Sequence, residues 1–101
     1  MSGESLANAV TRSAPLTGQV KIAVTGVAVQ LPDKITTNGV EITNCGATAI
    51  LWGGADVTNT ADGTGNGYVL AAGATASTAT DNTNRIWING TSGGWISFLG
   101  S

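Results

Sequence analysis

The chain has 101 residues, which suits a single domain, and only 10% of them are charged, against about 25% in ordinary globular proteins. Lys and Arg number 4 and Asp and Glu number 6, so no basic surface is expected for phosphate groups, and neither nucleic acid nor a membrane is an expected partner. With no histidine and one cysteine, Cys45, the chain lacks the commonest general base and cannot form a disulfide within one copy.

Residues 1–18 form a polar segment of mostly small residues that Pro15 and Gly18 close. We interpret it as a flexible N-terminal arm that anchors the protein to a partner. The side chains available for anchoring are Leu6, Val10, Arg12 and Leu16. The segment has no apolar stretch of signal-peptide length, so we expect a soluble protein made in the cytoplasm.

A period-two pattern typical of a β-strand begins at Val20 and shifts phase at Gly26. A bulge or bend at Gly26 would keep both halves facing one core. The alternating apolar residues are Val20, Ile22, Val24, Val27, Val29 and Leu31. The strand ends at Pro32, because proline cannot donate a ladder hydrogen bond.

Further short strands follow, separated by turn-forming residues. They are predicted at about 39–44, 48–52, 68–70, 74–80, 85–89 and 95–99, with an exposed loop over 58–66 and a hairpin over 90–94. The sequence therefore predicts one all-β domain over residues 19–101. Its expected form is a small antiparallel β-sandwich of seven or eight short strands, jelly-roll-like or Ig-like.

The carboxylates offer no catalytic pair. Asp33, Asp56, Asp62 and Asp81 lie at predicted strand ends or turns, where aspartate caps the backbone, and Glu41 alternates outward on a strand. The loop around Asp56 and Asp62 lacks the ligand spacing and the closing glutamate of a calcium loop. We therefore expect no enzyme activity, no metal site and no cofactor, and we interpret Cys45 as a buried, inert thiol.

Aromatic residues are the candidates for binding. Trp52 ends a predicted strand, and Trp87 and Trp95 alternate away from the apolar faces of their own strands; Tyr68 begins another strand. Exposed aromatic rings on a neutral surface rich in Asn and Thr can stack on a sugar or anchor a protein interface. The alternative is that these rings fill the second face of a sandwich.

An ordered series of short motifs runs from Val20 to Leu99. The motifs are Val-Gln-Leu-Pro at 29–32, Gly-Val-Glu-Ile-Thr-Asn at 39–44, Ile-Leu-Trp-Gly-Gly at 50–54, Asp-Val-Thr at 56–58, Gly-Tyr-Val-Leu-Ala-Ala-Gly at 67–73 and Arg-Ile-Trp-Ile-Asn-Gly at 85–90. In this series the chain resembles a family of small tailed-phage virion proteins, described as capsid decoration or head-fibre proteins.

The resemblance implies a non-enzymatic β-sandwich module that binds the major capsid protein at the capsid surface of the virion. It also implies a homo-oligomer matched to local symmetry, and a trimer is the first expectation. The alternative function is a carbohydrate-binding module in which Trp52, Trp87 or Trp95 stacks on a glycan.

Overall fold

The computed structural model describes residues 15–101, which form eight β-strands and one 3-10 turn. The strands are β1 Leu16–Lys21, β2 Val29–Gln30, β3 Val40–Asn44, β4 Ile50–Gly53, β5 Tyr68–Leu70, β6 Thr75–Thr78, β7 Trp87–Asn89 and β8 Trp95–Gly100, and the 3-10 turn is Thr83–Arg85. The predicted anchoring residues Leu6, Val10 and Arg12 lie outside the described range. Within that range, no helix is long and apolar enough to cross a membrane.

The strands form two four-stranded sheets in which every neighbouring pair is antiparallel. Sheet A has the order β1-β8-β3-β6 and sheet B the order β2-β7-β4-β5. Eight strands distributed in this way form a jelly roll. The prediction of an antiparallel β-sandwich is confirmed, in its jelly-roll variant; the Ig-like variant is wrong, because it would pair the first strand with the second.

The core lies between the two sheets and is almost entirely aliphatic. Its buried members are Ile22, Leu31, Val40, Ile42, Ile50, Leu70, Ile86, Ile88, Ile96 and Phe98. Burial of each such side chain stabilises the fold by about 1.5–3 kcal/mol. Gly18 on β1 fits this packing because a Cβ there would lie 2.6 Å from the Phe98 ring.

A smaller apolar cluster lies on the outer side of sheet B. Leu51 alternates away from Ile50, yet both Leu51 and Val57 are buried, and neither belongs to the main core. Gly67 permits the contact, because a Cβ there would lie 2.6 Å from Val57 and 3.2 Å from Leu51. The segment 54–67, which is mostly exposed and contains the exposed loop predicted over 58–66, therefore folds over the outer face of sheet B.

The first predicted strand is wrong in its position. β1 begins at Leu16 and ends at Lys21, whereas Val24 and Val27 are 58% and 55% exposed. Around Gly26, which has a φ of 82°, the chain turns and crosses from sheet A to β2 in sheet B. The shift in the apolar pattern therefore marks a change of sheet and not a bulge.

The predicted boundary between arm and sandwich at residue 18 is also wrong, because β1 already begins at Leu16. The backbone from Leu16 to Gly18 pairs with β8 from Gly100 to Phe98. The strand that pairs with these residues lies at the far end of the sequence. A local sequence pattern cannot predict such a distant partner. Leu16, predicted to anchor the arm, is thus a half-buried residue of sheet A.

The predicted hairpin over 90–94 is also wrong, because β7 and β8 belong to different sheets. β7 already has β2 and β4 as neighbours, and β8 has β1 and β3. The connection from β7 to β8 instead forms hydrogen bonds with Ile22, the residue that follows β1. Ile22 N–H donates to Gly94 O at 2.8 Å and Gly93 N–H donates to Ile22 O at 2.9 Å.

Two buried asparagines hold the connections between strands. Asn89 is 2% exposed; its Nδ2 donates to Gly26 O at 3.2 Å and Val57 O at 3.0 Å, and its Oδ1 accepts from Gly90 N–H at 2.8 Å. Asn44 uses its amide similarly, donating to the carbonyls of Thr48 and Leu70. Both side chains are satisfied, as buried amides must be.

Replacing Asn89 tests this role. Asn89→Ala is expected to lower the free energy of unfolding by about 2–3 kcal/mol, because two carbonyls and one N–H lose their partner in a site with little access to water. Urea denaturation followed by circular dichroism measures the change. Asn66→Ala is the matched control, because the exposed Asn66 side chain makes only a 3.4 Å contact with Asp56; equal losses from the two variants would contradict the assignment.

Candidate binding surface

The outer face of sheet A, which we call the hydroxyl face, is the broad uncovered surface of the described domain. The outward positions follow from the burial alternation of the four strands and from their register. They are Thr17, Gln19 and Lys21 on β1, Trp95, Ser97 and Leu99 on β8, Glu41, Thr43 and the adjoining Cys45 on β3, and Thr75 and Ser77 on β6.

The chemistry of this face is neutral and dominated by hydroxyl groups. Lys21 and Glu41 are its charged residues, and they lie in different cross-strand rows. Thr43 Oγ1 and Thr75 Oγ1 are 2.8 Å apart and share a hydrogen bond. A face with so little charge can be desolvated at lower cost than an ordinary protein surface.

Cys45 lies on the hydroxyl face and is exposed, so the interpretation as a buried thiol is wrong. Asn44 occupies the inward position at the end of β3, which directs the next side chain outward. The Cys45 thiol lies 3.5 Å from Ser97 Oγ. The alternation of Val40, Ile42 and Asn44 is the signal in the sequence that places Cys45 outside.

Trp95 lies at one end of the hydroxyl face and is half-buried. Lys21 is its cross-strand partner on β1, and Cys45 N–H donates to Trp95 O at 3.0 Å on the other side. A groove of about 430 Å³ runs beside it, lined by Gln19, Val20, Lys21, Gly93 and Trp95. An aromatic ring beside amide and ammonium donors suits contact with a ligand that is partly apolar and partly polar.

Trp52 and Tyr68 form a second aromatic site on sheet B. The two residues pair across β4 and β5, and their ring centroids are 5.8 Å apart with the planes tilted by 42°. Trp52 packs against the core and its buried Nε1 has no hydrogen-bond partner, whereas Tyr68 is 67% exposed. Trp52 therefore belongs mainly to the core, and Tyr68 is its exposed neighbour.

The four predicted aromatic residues do not form one site. Trp87 lies on β7, where it pairs with Gln30 and Gly53, and is half-buried on the outer side of sheet B. Trp95 lies on the outer side of sheet A, on the opposite face of the sandwich. One small ligand cannot contact both rings, so only the pair of Trp52 and Tyr68 is brought together.

Several exposed aliphatic residues were not predicted as candidates: Val24, Val27, Ile35, Val69 and Leu99. Leu99 is 48% exposed at the end of the hydroxyl face opposite Trp95, and Ile35, in the connection from β2 to β3, is 79% exposed. Leu99 could have been found from its alternation with Ile96 and Phe98. Ile35 carries no such signal, since it lies among turn residues and forms a single bridge to Asn82.

Asp62 caps the backbone as expected of a turn aspartate, whereas Asp81 pairs with a side chain instead. Asp62 Oδ1 accepts from Thr64 N–H at 2.9 Å and from Thr64 Oγ1 at 2.6 Å, and Asp81 accepts from the Arg85 guanidinium. Hydrogen bonds from Thr64 and from Arg85 respectively lower the pKa of Asp62 and of Asp81 below the ordinary value. Among residues 15–101, no three His, Cys, Asp or Glu side chains gather where they could hold a metal ion.

Asn89 begins an Asn-Gly-Thr sequence of the kind that accepts N-linked glycans. Its side chain is buried and both of its amide donors are engaged with Gly26 and Val57. The folded domain therefore cannot be modified there.

Comparison with known proteins adds little to this geometry. No protein-family model matches the chain, and no curated protein matches it significantly. A solved chain from Bacillus endospore appendages, which form a novel family of disulfide-linked pili, is similar at 15% sequence identity and a TM-score of 0.36, with 87% of each chain covered. A TM-score of this size does not establish a shared fold.

The turn at Asp62 gives a prediction about pH. Thr64→Val removes the hydroxyl that contributes most to the low pKa of Asp62, so the pKa of that carboxyl is expected to rise toward its ordinary value of about 3.9. Because the folded-state pKa is lowered, the hydrogen bonds stabilise the fold above the ordinary pKa, and this small contribution is lost as the pH falls through the folded-state value.

Carbon-13 NMR titration of the Asp62 carboxyl measures the change. Thr60→Val is the matched control, because Thr60 donates its backbone N–H to Thr58 Oγ1 at 3.5 Å, whereas Asp62 accepts from Thr64. An unchanged Asp62 titration in Thr64→Val would contradict the prediction.

Proposed function

We propose that this chain is a structural protein of a tailed-phage virion that binds the capsid surface as a decoration or head-fibre protein. The observation that carries the proposal is the hydroxyl face. It combines few charges with a half-buried Trp95 and an exposed Leu99, and charge depletion with aromatic enrichment is the composition of the centre of a protein interface. The resemblance of the motif series between Val20 and Leu99 points in the same direction.

The proposed partner is the major capsid protein. A capsid presents the same docking site many times, so moderate contacts add up to a stable coat when the bound protein is itself oligomeric. A homo-oligomer, with a trimer as the first expectation, would match a three-fold position of a capsid. In this proposal the protein has no enzymatic role, is made in the host cytoplasm and ends at the capsid surface.

Co-sedimentation with capsids tests the proposal. The full chain is expected to co-sediment, at a saturable ratio, with empty capsids assembled from the major capsid protein of the same phage genome. Leu99→Lys replaces an exposed apolar side chain of the hydroxyl face with a charge and is expected to raise the dissociation constant about tenfold or more. The variant should still fold, since the new lysine lies directly across from Glu41 and opposite charges in that arrangement are favourable.

The matched control is Ile35→Lys, which makes the same type of change at an exposed aliphatic residue in the connection from β2 to β3, outside the strands of sheet A. It is expected to bind capsids as the unchanged protein does. Absence of saturable binding by the unchanged protein, or equal weakening by both variants, would count against the proposal.

Glycan binding is a second candidate function, and the groove beside Trp95 favours it. Stacking of a sugar ring on the half-buried indole would bring its hydroxyl groups near Gln19 and Lys21, which line the groove. Such a site would be shallow and would bind weakly, as expected for a single aromatic ring with a few polar neighbours.

Tryptophan fluorescence with soluble polysaccharides tests this candidate. If the groove binds sugar, polysaccharide is expected to change the emission of the unchanged protein and of Trp87→Phe, but not that of Trp95→Phe. A response that survives in Trp95→Phe would place the sugar elsewhere, and a panel of polysaccharides without any response would remove the candidate.

A further inference from the structure

The two sheets differ in how their edges are protected. The edge strands of sheet B are two and three residues long, β2 and β5. Those of sheet A, β1 and β6, are six and four residues long. Short edges offer a poor template for another strand, so sheet B is protected by length and sheet A is not. Among residues 15–101, β8 is the partner of β1 and β3 is the partner of β6, and each leaves one side open.

The backbone groups of β1 that face its open side can be assigned. Hydrogen-bonded residues alternate along an antiparallel strand, and Ile22 N–H donates to Gly94 O in continuation of the pairing between β1 and β8. Thr17, Gln19 and Lys21, which alternate with Ile22, therefore direct their N–H and C=O groups away from β8. Within residues 15–101 these groups have no strand partner, and they lie along the longer of the two edge strands of sheet A.

The same reasoning applies to β6. Asn44 N–H donates to Ala74 O at 3.0 Å, which continues the pairing of β3 with β6. Thr75 and Ser77, which alternate with Ala74, therefore direct their backbone groups to the other open side of sheet A. In the part of the chain that the structure describes, both edges of sheet A thus present donors and acceptors without strand partners.

Neither edge carries the features that usually prevent strand addition. β1 has continuous pairing from Leu16 to Lys21 without a bulge, contains no proline, and has one charged residue, Lys21, at its end. β6 has the sequence Thr-Ala-Ser-Thr. Proline, bulges and charged side chains are the common protections of exposed edges, so both edges are open to another strand.

The two edges are complementary in direction. Three antiparallel pairings separate β1 from β6, so the two strands run in opposite directions. A second copy placed beside the first in the same orientation would therefore set its β6 antiparallel to β1. We infer that copies of this chain associate edge to edge, with β1 of one copy pairing with β6 of the next, so that sheet A and its hydroxyl face continue across the contact.

This contact joins two different surfaces, so each added copy leaves one β1 edge and one β6 edge free. Such assemblies grow until a ring closes or continue as a filament. Edge-to-edge association is a property of the purified protein and does not depend on capsid or glycan binding. Either the association or the proposed capsid binding can therefore fail while the other stands.

Sedimentation velocity of the full chain, from about 1 μM to about 1 mM, tests the inference. Species larger than a monomer are expected to increase with concentration. Gln19→Pro and Ser77→Pro each remove one outward-facing N–H from an edge where proline can be accommodated, and each is expected to raise the dissociation constant about tenfold or more. Gln19→Ala and Ser77→Ala keep the N–H and should associate as the unchanged protein does.

Mixing the two proline variants distinguishes this contact from a two-fold one. Each variant keeps one intact edge, so an equimolar mixture should form a dimer of one copy of each and nothing larger. If Ser77→Pro by itself dimerises with the same affinity as the unchanged protein, β1 pairs with β1 and the inference is overturned. The inference is also overturned if the unchanged protein stays monomeric at every concentration.

Hydrogen exchange of the unchanged protein provides a readout that requires no substitution. The amides of Gln19 and Ser77 are expected to exchange more slowly as the concentration rises, because they become hydrogen-bonded to the neighbouring copy. The amide of Ala61, in the exposed segment 54–67, should exchange at the same rate at every protein concentration. Oligomers that form without slowing Gln19 and Ser77 would overturn the inference.

Discussion

The arrangement of the two faces of this sandwich depends on the buried amide of Asn89. That side chain joins the turn at Gly26 and the backbone at Val57 to β7, so it holds both the crossing from sheet A to sheet B and the segment that covers sheet B. An aliphatic residue of similar size would pack, but it would leave the carbonyls without donors. Covering of sheet B by Val57 and its neighbours leaves the hydroxyl face as the open one.

The difference between the sheets explains where binding can take place. On sheet B, the outward Leu51 is buried under the segment 54–67 and the edge strands are short. On sheet A, the outward side chains are Thr, Ser and Gln together with Lys, Glu, Cys, Trp and Leu, and the edge strands are six and four residues long. Both proposed kinds of contact, a partner on the hydroxyl face and a second copy at its edges, therefore use sheet A.

Much of the fold could be predicted from local patterns. The alternation of Ile86 with Ile88 and of Ile96 with Phe98 located β7 and β8, and turn residues separated most of the other strands. What could not be predicted was which strands share a sheet. The pairing of Leu16 with Gly100 and the separation of β7 from β8 depend on partners distant in the sequence, and turn residues such as Gly26 and Gly90 look alike whether they close a hairpin or cross between sheets.

The candidate site was less predictable than the fold. The alternation of apolar residues correctly predicted that Trp87 and Trp95 point away from the core. It could not predict that they lie on opposite faces of the sandwich, because that depends on the sheet to which each strand belongs. Trp52 looked like a candidate at the end of a strand and instead packs against the core beside Tyr68. Leu99, at the end of the hydroxyl face opposite Trp95, does not stand out as a candidate in the sequence, because single exposed leucines are common.

The position of β8 has a consequence for how the chain folds. β8 lies between β1 and β3, so β1 cannot join sheet A until a strand nearly the whole domain away in sequence has arrived. Closing so long a loop costs chain entropy before any ladder hydrogen bond forms, and folds dominated by such distant pairings cross their barrier slowly. Sheet B, whose β4 and β5 are near neighbours in sequence, can form first, and during that interval β1 remains an unpaired strand.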